Sequence, residues 1–255
     1  MGRRLGQHFL SRQSILHRIA RAACQGFDAP LVVEIGPGKG ALTAPLLQLA
    51  SKVVAIEVDP FLVHYLRHKF AAALNTGRLD LIEGDVLKTE LAAFGPAVIA
   101  GNLPYYITSP IMEKVFAMGG FWRRAVFLVQ SEVASRLAAS PGSRDYGYLT
   151  VQAQLGSRPE ILFEAPRAAF RPPPKVDSAV VRLEPRDRIA ELQLPDKAAF
   201  LKFAAACFRQ KRKTLRNNLA PIYGRERLDA MEEGGLRAEQ LSVAELAALY
   251  RKLHA

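Results

Sequence analysis

The sequence predicts an α/β fold, an open sheet of buried strands alternating with helices, followed by a small helical domain. Residues 31–40 combine a short apolar strand, a glycine-rich turn and the start of a helix. Apolar strand patterns recur at 53–56, 79–82, 97–100, 125–129, 161–164 and 179–183, and most are separated by helical patterns. After Pro185 a linker leads into helix-forming segments. We therefore predict a catalytic domain at 1–185, with an N-terminal arm at 1–13, and a helical domain at 186–255.

Composition limits the class of protein. The 255 residues suffice for one α/β domain and a smaller second one, and 49% hydrophobic with 23% charged residues is typical of a globular protein. The sequence contains no apolar run that could span a bilayer, and its N-terminus lacks a signal-peptide core, so we expect a cytoplasmic protein without a membrane partner. Cys24 and Cys207 are isolated, which argues against disulfides and against a metal site.

The net charge of +11 is concentrated in two segments. Residues 1–25 and 198–224 contain no acidic residue, and the second of these contains Lys202, Arg209, Lys211, Arg212, Lys213 and Arg216. A single basic run could be an ordinary solvated surface. Two runs that flank a cofactor domain indicate a polyanion partner, and nucleic acid is favoured because neither run has the apolar stripe of a membrane-binding helix.

The glycine turn predicts a cofactor cradle, although a ligand-free turn is the simpler alternative. Gly36, Gly38 and Gly40 allow positive φ angles and close approach of a ligand to the backbone. The string also fits the looser dinucleotide fingerprint. The acid Glu34 within the strand and the Gly-x-Gly-x-Gly spacing favour S-adenosylmethionine, but the glycines alone leave the choice open.

Polar residues follow the next strands. Glu57 ends the second strand and is placed to accept hydrogen bonds from both ribose hydroxyls of a nucleotide. Asp85 follows the third strand and could accept from an adenine amino group, with Val86 offering an apolar face or a backbone N–H. Asp85 could equally serve as a helix N-cap, and the two roles are compatible.

The fourth strand runs into Asn102, Leu103, Pro104 and Tyr105, where an open α/β sheet places its ligand crevice. A turn explains the asparagine and the proline separately, but it does not explain the whole string. The proline-rich segment 170–177 either is a connector or fixes Phe170 as a wall of a base pocket. The polar loop 140–147 is a candidate gate on the substrate side.

These strings together resemble one family closely. Gly-Gln-His-Phe-Leu at 6–10, the glycine loop at 34–40, Gly-Asp-Val at 84–86, Asn-Leu-Pro-Tyr at 102–105 and the proline segment at 170–178 occur in the order typical of the KsgA/RsmA ribosomal RNA adenine dimethyltransferases. That family is related to the Erm methyltransferases. The resemblance extends into the helical tail at 208–219 and covers nearly the whole chain.

The resemblance implies a class I S-adenosylmethionine-dependent methyltransferase with a seven-stranded, mostly parallel sheet and a C-terminal helical domain. The implied cofactor-binding residues are His8, Leu10, Gly36, Gly38, Glu57, Asp85, Val86 and Asn102. His8 departs from the familiar bacterial pattern, which has asparagine. Both side chains can donate a hydrogen bond, so the contact is retained, while its pH dependence is an open question.

The implied reaction is dimethylation of the N6 amino groups of two adjacent adenines in the hairpin loop near the 3′ end of 16S rRNA, within a pre-30S particle. Asn102 and the Leu103 carbonyl would accept hydrogen bonds from the amino group, and Tyr105 and Phe170 would sandwich the base. A monomer is expected. A basic face would bind RNA phosphates, and its residues are Arg209, Lys211, Arg212, Lys213 and Arg216.

Two other functions fit parts of the sequence. Asn-Leu-Pro-Tyr specifies an amino nitrogen and not its host, so a methyltransferase for other RNA or DNA adenines is one alternative. A ribosome-assembly or transcription factor that uses the fold mainly for binding is the second. The presence of all five site residues weighs against it, namely Glu57, Asp85, Asn102, Tyr105 and Phe170. An NAD-dependent dehydrogenase is a distant third because the basic helical tail does not suit it.

Overall fold

A seven-stranded sheet forms the centre of the fold in the computed structural model, which describes residues 8–254. The order of its strands is β4-β3-β2-β5-β6-β9-β7. The pairs β2/β3, β2/β5, β3/β4 and β5/β6 are parallel, and β6/β9 is antiparallel. The strands of this sheet are β2 (Leu31–Ile35), β3 (Lys52–Glu57), β4 (Leu79–Glu83), β5 (Ala97–Asn102), β6 (Trp122–Gln130), β7 (Ser157–Ala165) and β9 (Ser178–Pro185).

The central strands are apolar on both faces. Val32, Val53, Val98 and Ile99 are fully buried, as expected for strands of a parallel sheet that is covered on both sides. The parallel register aligns Ile35 with Ile56 and with Gly101. The residues that follow these positions therefore lie at one edge of the sheet, which brings the three predicted strand-end segments together.

Six helices begin in the first part of the chain. They are α1 (Gln13–Cys24), α2 (Thr43–Leu49), α3 (Pro60–Lys69), α4 (Ala71–Asn75), α5 (Thr108–Ala117) and α6 (Ser131–Leu137). Helix α1 buries Ile15, Leu16 and Ile19 on one face, as its apolar spacing predicts. The N-cap of this helix is Arg12, and the preceding Ser11 donates its hydroxyl to the Ala169 carbonyl at 3.0 Å.

The arm forms a second, two-stranded sheet. Strand β1 (Phe9–Leu10) pairs antiparallel with β8 (Phe170–Arg171), so Phe9 lies opposite Arg171 and Leu10 opposite Phe170. The Ser11 N–H extends this pairing by donating to the Ala169 carbonyl at 2.9 Å. The N-terminal arm and the proline segment thus form one substructure.

The chain divides into two compact units, and their boundaries differ from the predicted division. One unit consists of residues up to 134 together with Glu160–Pro185, and the other consists of Ser135–Pro159 and the residues from Arg186 onward. The segment at 135–159 was assigned by sequence to the first domain. It contains α7 (Tyr148–Gly156), whose Val151 and Leu155 are buried in the core of the second unit.

The second unit is helical. Beyond α7 it contains α8 (Lys197–Cys207), α9 (Leu215–Tyr223), α10 (Arg225–Asp229) and α11 (Val243–His254). Helix α9 is capped by Thr214, whose side chain accepts a hydrogen bond from the Asn217 N–H. The predicted linker at 186–195 contributes Leu192 and Leu194 to the core of this unit. Within residues 8–254 no helix is long and apolar enough to cross a membrane.

Candidate active site

A cavity opens at the carboxyl edge of the sheet, where β2, β3, β4 and β5 end. Its walls come from the arm, the glycine loop and the segments that follow these strands. The lining residues include His8, Phe9, Leu10, Glu34, Gly36, Gly38, Glu57, Val58, Asp85, Val86, Asn102, Leu103, Tyr105 and Tyr106. All predicted cofactor-binding residues therefore line one cavity.

The glycine loop has a backbone that only glycine adopts easily. Gly36, Gly38 and Gly40 have φ angles of 66°, 57° and 70°. A Cβ atom on Gly40 would lie 2.3 Å from the Phe70 ring, and one on Gly38 would lie 3.0 Å from the Phe9 ring. The close contact with Phe9 shows that the arm lies directly over the loop, which therefore forms a covered cradle.

Glu57 is held by the glycine loop and by the start of the segment that leads into α3. One carboxylate oxygen accepts from the Gly38 N–H at 3.0 Å, and the other accepts from the N–H groups of Val58 and Asp59 at 3.0 and 3.1 Å. The side chain is buried. A carboxylate has about four acceptor positions, and three are used here, so this fixed group can still accept about one hydrogen bond from a ligand.

Glu34 is a second, more deeply buried carboxyl group in the cavity wall. It is 1% exposed, and its Oε2 accepts a hydrogen bond from the Thr43 hydroxyl at 2.6 Å. Burial raises the pKa of Glu34 to about 8, against the opposing effect of the Thr43 hydrogen bond, and the nearby Glu57 charge adds to the rise. Glu34 is therefore mainly protonated at neutral pH.

Asp85 combines the two roles weighed from the sequence. Its Oδ1 accepts from the Leu87 N–H at 2.9 Å, which fixes the turn after β4, and the residue also lines the cavity. Val86 beside it is buried and lines the same wall. This part of the cavity offers one polar acceptor and an apolar surface, which are the features that a nucleobase requires.

Asn102 lies where β5 leaves the sheet, and the arm fixes its orientation. Its Nδ2 donates to the His8 carbonyl, 94 residues away, at 3.2 Å. Within residues 8–254 no hydrogen bond occupies its Oδ1 or the Leu103 carbonyl, while the Leu103 N–H is bound to the Leu128 carbonyl at 3.1 Å. The turn thus keeps two free acceptors, the Asn102 Oδ1 and the Leu103 carbonyl, while the Nδ2 and N–H donors of the same residues are already hydrogen-bonded.

Tyr105 is fixed at both ends. Its hydroxyl shares a hydrogen bond of 2.9 Å with Ser178, and its ring stacks on the His8 ring with centroids 5.9 Å apart and planes at 29°. Burial raises the pKa of Tyr105, so the phenol stays neutral. The His8 Nδ1 lies 2.9 Å from the Pro172 carbonyl, which can only accept, so Nδ1 carries the hydrogen.

Comparison with known proteins identifies the family. The family model described as ribosomal RNA adenine dimethylase matches residues 2–254. The chain belongs to this family. It is therefore an S-adenosylmethionine-dependent methyltransferase with the class I fold, and the predictions of fold class, family and cofactor are confirmed. The dehydrogenase alternative is excluded.

The dimethylase is similar along almost its full length to proteins named ribosomal RNA small subunit methyltransferase A. The protein from Acidobacterium capsulatum is 44% identical, over 98% of this chain and 90% of the relative. The protein from Thiobacillus denitrificans is 41% identical, over 97% of this chain and 95% of the relative. These matches include both units of the chain.

Solved structures show the same fold. A dimethyladenosine transferase from Plasmodium falciparum superposes with a TM-score of 0.78 at 26% identity, covering 97% of this chain and 98% of that one. The 23S rRNA methyltransferase ErmE superposes with a TM-score of 0.74 at 28% identity, covering 97% of this chain and 100% of that one.

The predicted role of Phe170 does not agree with its position in this structure. Its side chain is 1% exposed and packs in the core of the first unit with Leu10 and Leu16, and it is absent from the cavity lining. Pairing with Leu10 turns this ring into the core. In the dimethylase as described, the ring that faces Tyr105 is that of His8.

The predicted basic face divides into exposed and paired residues. Arg209, Arg212 and Lys213 are exposed and form no ion pair within residues 8–254. Arg216 is half-buried, and its Nε lies 2.5 Å from Asp229. Lys211 donates to the Arg144 carbonyl. Three of the five predicted RNA-binding side chains are therefore available for phosphate contacts.

Several site residues lay outside the sequence-based prediction. Thr43, Ser178 and Pro172 hold Glu34, Tyr105 and His8 in place through the hydrogen bonds described above. Ser178 ends the proline-rich string that was singled out in the sequence, but nothing in that string indicates that Ser178 pairs with Tyr105. Among the described residues, no group of three or more His, Cys, Asp or Glu side chains could hold a metal ion.

Replacing Glu57 by alanine is expected to weaken S-adenosylmethionine affinity by about tenfold to a hundredfold, because hydrogen bonds to a charged group contribute about 1.5–3 kcal/mol each. Titration calorimetry measures this directly. Glu83→Ala is the matched control, because Glu83 lies opposite Glu57 in the parallel register but is exposed and outside the cavity lining. Unchanged affinity in Glu57→Ala would remove Glu57 from the ribose site.

Proposed function

We propose that this dimethylase transfers two methyl groups to each N6 of two adjacent adenines in the hairpin loop near the 3′ end of 16S rRNA, within a pre-30S particle. The observation that carries the proposal is the pair of free acceptors on Asn102 and Leu103, two residues that line the cavity beside the glycine cradle. An exocyclic amino group has two N–H donors, and this pair matches them.

The cavity lining supports a proposed place for each part of the cofactor. When bound, S-adenosylmethionine supplies an electrophilic methyl group on a sulfonium. The arm and the glycine loop would hold its amino-acid part, Glu57 its ribose, and Asp85 with Val86 its adenine. The position of the Phe9 ring supports this assignment, because it lies so near the glycine loop that a Cβ atom on Gly38 would be 3.0 Å from it.

The two acceptors address the central difficulty of the reaction. The N6 lone pair of adenine is delocalised into the ring and is a weak nucleophile. Hydrogen bonds from the amino group to the Asn102 Oδ1 and the Leu103 carbonyl favour a pyramidal nitrogen, whose lone pair then points out of the ring plane. Asn102 is suited to this task because its Nδ2 is held by the His8 carbonyl and cannot swing into the acceptor position.

The second transfer makes a further demand on the same pair. A monomethylated amino group has one N–H left, so one of the two acceptors retains its hydrogen bond while the first methyl group occupies the space beside the other. Both acceptors are neutral, and leaving one of them without a donor is tolerated better than it would be for a buried charge. The site therefore accepts both substrates.

Tyr105 would hold the target base after it turns out of its loop. Its ring is fixed by Ser178, and stacking of a base on an aromatic ring contributes roughly 1–3 kcal/mol. The centroid separation of 5.9 Å between Tyr105 and His8 is less than the roughly 7 Å that a sandwiched base requires, so the base would displace the His8 ring by about 1 Å or stack on the other face.

Binding to the particle would rest on phosphate contacts of the basic face. Such contacts supply affinity without reading sequence, so the position of the enzyme on the particle would select the adenines. The exposed Arg209, Arg212 and Lys213 would supply these contacts. We further propose that the protein acts as a monomer in the cytoplasm, where ribosome assembly takes place.

The particle specificity can be tested by comparing methyl transfer to three substrates: under-methylated 30S particles, protein-free 16S rRNA and 50S particles. The proposal predicts transfer to 30S particles in large excess over the other two, because placement on the particle selects the target. Equal labelling of 50S particles would support the broader adenine methyltransferase instead.

Replacing Arg209, Arg212 and Lys213 together by glutamine is expected to weaken 30S binding by about tenfold or more at physiological salt and to reduce the salt dependence of binding. Filter binding at several salt concentrations measures both. Arg216→Gln is the matched control, because its charge is already paired with Asp229. If Arg216→Gln lowered the salt dependence as much as the triple variant, the division of the basic face would be incorrect.

A further inference from the structure

Helix α3 carries an exposed stripe of aromatic and cationic residues that the proposed reaction does not use. Phe61, His64, Tyr65 and His68 follow the spacing i, i+3, i+4 and i+7, so they share one face of the helix, and Lys69 adjoins them. All five side chains are exposed, with Phe61 at 85% and Tyr65 at 46%. We call these five residues the α3 stripe.

The stripe is a continuous surface. The His64 and His68 rings meet edge to face with centroids 4.6 Å apart, and the Lys69 Nζ lies 5.7 Å from the centroid of the Tyr65 ring. Lys69 also donates to the Lys39 carbonyl at 2.7 Å, which joins the end of the stripe to the glycine loop. Val58, two residues before the helix, is exposed and lines the cavity. The stripe therefore borders the cofactor cavity.

The charge of the helix identifies the kind of partner. Pro60–Lys69 contains no acidic residue and ends in Arg67, His68 and Lys69. Cations in a last turn stabilise the helix dipole, which explains that cluster on its own. The helix dipole does not explain why the large rings of Phe61 and Tyr65 are exposed to solvent on the same face. Aromatic rings interleaved with cations are the composition of surfaces that stack bases and contact phosphates.

We propose that the α3 stripe is a second RNA-binding surface, on which unpaired bases of the rRNA stack while their phosphates contact Lys69 and Arg67. The inference rests on the rRNA-methylating function proposed above. It adds a contact in the unit that contains the cavity, separate from the basic face at 209–213. RNA that enters the cavity would then be held beside it by stacking.

The test uses a single-stranded oligoadenylate that contains 2-aminopurine, whose fluorescence is quenched when it stacks on an aromatic ring. Full-length protein saturated with S-adenosylhomocysteine is titrated with this probe. The double variant Phe61→Ser/Tyr65→Ser is expected to bind the probe at least about fivefold more weakly and to quench its fluorescence less than the wild type does. The slope of log affinity against log salt concentration is expected to stay unchanged, because no charge is removed. Lys69→Gln is expected to lower the slope by about 0.7.

Two further variants serve as controls. Phe121→Ser removes another exposed ring, 54% exposed and outside the stripe, and is expected to bind as the wild type does. Phe61→Trp keeps a stacking ring and is expected to bind at least as tightly. Wild-type affinity and quenching in the double variant would overturn the inference.

The same variants are then compared on under-methylated 30S particles. A loss of particle binding with unchanged oligoadenylate binding would assign the stripe to a ribosomal protein and would overturn the RNA inference. If the wild type neither binds nor methylates 30S particles, the proposed function fails. If the wild type binds and methylates 30S particles, and the double variant matches it in every assay, the α3 stripe is ruled out and the proposed function is not.

Discussion

Replacing Asn102 by alanine is expected to lower the rate of methyl transfer by about a hundredfold to a thousandfold, with little change in the affinity for 30S particles. The expected loss is that of one oriented hydrogen-bond partner in the transition state. Binding is retained because the basic face lies elsewhere in the chain, in the helical unit. Single-turnover transfer and filter binding, measured on the same preparations, separate the two effects.

Asn102 also ties the arm to β5, so a second variant is needed to interpret the loss. Asn102→Asp keeps an acceptor oxygen but removes the Nδ2 donor to the His8 carbonyl. If the acceptor is what matters, Asn102→Asp retains more activity than Asn102→Ala. Equal loss in both would indicate that the tie to the arm is the essential contact, and equal loss of binding and transfer in Asn102→Ala would contradict the separation of roles.

The second large effect concerns stability. Replacing Glu34 by glutamine is expected to make the protein more stable than the wild type at pH 9, by on the order of a few kcal/mol, and nearly equal to it at pH 5. At pH 5 the wild-type Glu34 is protonated in the folded state, and glutamine resembles a protonated glutamate in shape while retaining an oxygen for the Thr43 hydroxyl.

The sign follows from the direction of the shift. Burial raises the pKa of Glu34 from 4.5 to about 8 on folding, so the folded state holds one more proton than the unfolded state between these values. Wild-type stability contributed by this group is therefore lost as pH rises from about 4.5 to about 8. Chemical denaturation at several pH values measures the difference between the two proteins.

The exposed Glu83 provides the matched control. Glu83→Gln replaces an exposed acid at the end of β4, so a pH dependence seen with Glu34→Gln but not with Glu83→Gln is assigned to the buried carboxyl group. A stability difference for Glu34→Gln that stayed constant from pH 5 to pH 9 would mean that Glu34 is charged in the folded protein.

Local patterns were enough to predict the cavity edge from the sequence. Strand β2, the glycine loop and the acid that ends β3 are set by residues adjacent in the chain, and parallel strands necessarily bring their ends together. The contacts that orient the site join distant segments. The bond between Asn102 and His8, and that between Tyr105 and Ser178, leave no periodic signal in the sequence.

Two of the structural differences from prediction have the same origin. Phe170 begins a proline-rich segment, which is a local signal, but its burial accompanies its pairing with Leu10, which lies far earlier in the chain. The segment at 135–159 contains α7, whose apolar residues could have packed in either core from the pattern alone. Tertiary packing decides such cases, and one sequence does not reveal it.

The most direct measurement is nucleoside analysis of under-methylated 30S particles after reaction with S-adenosylmethionine that carries a radiolabelled methyl group. The account predicts label as N6,N6-dimethyladenosine, confined to the 3′-terminal hairpin of 16S rRNA and nearly absent with Asn102→Ala. Particles that bind the protein but yield no labelled adenosine, or label on another base, would contradict the role given to the acceptors at Asn102 and Leu103.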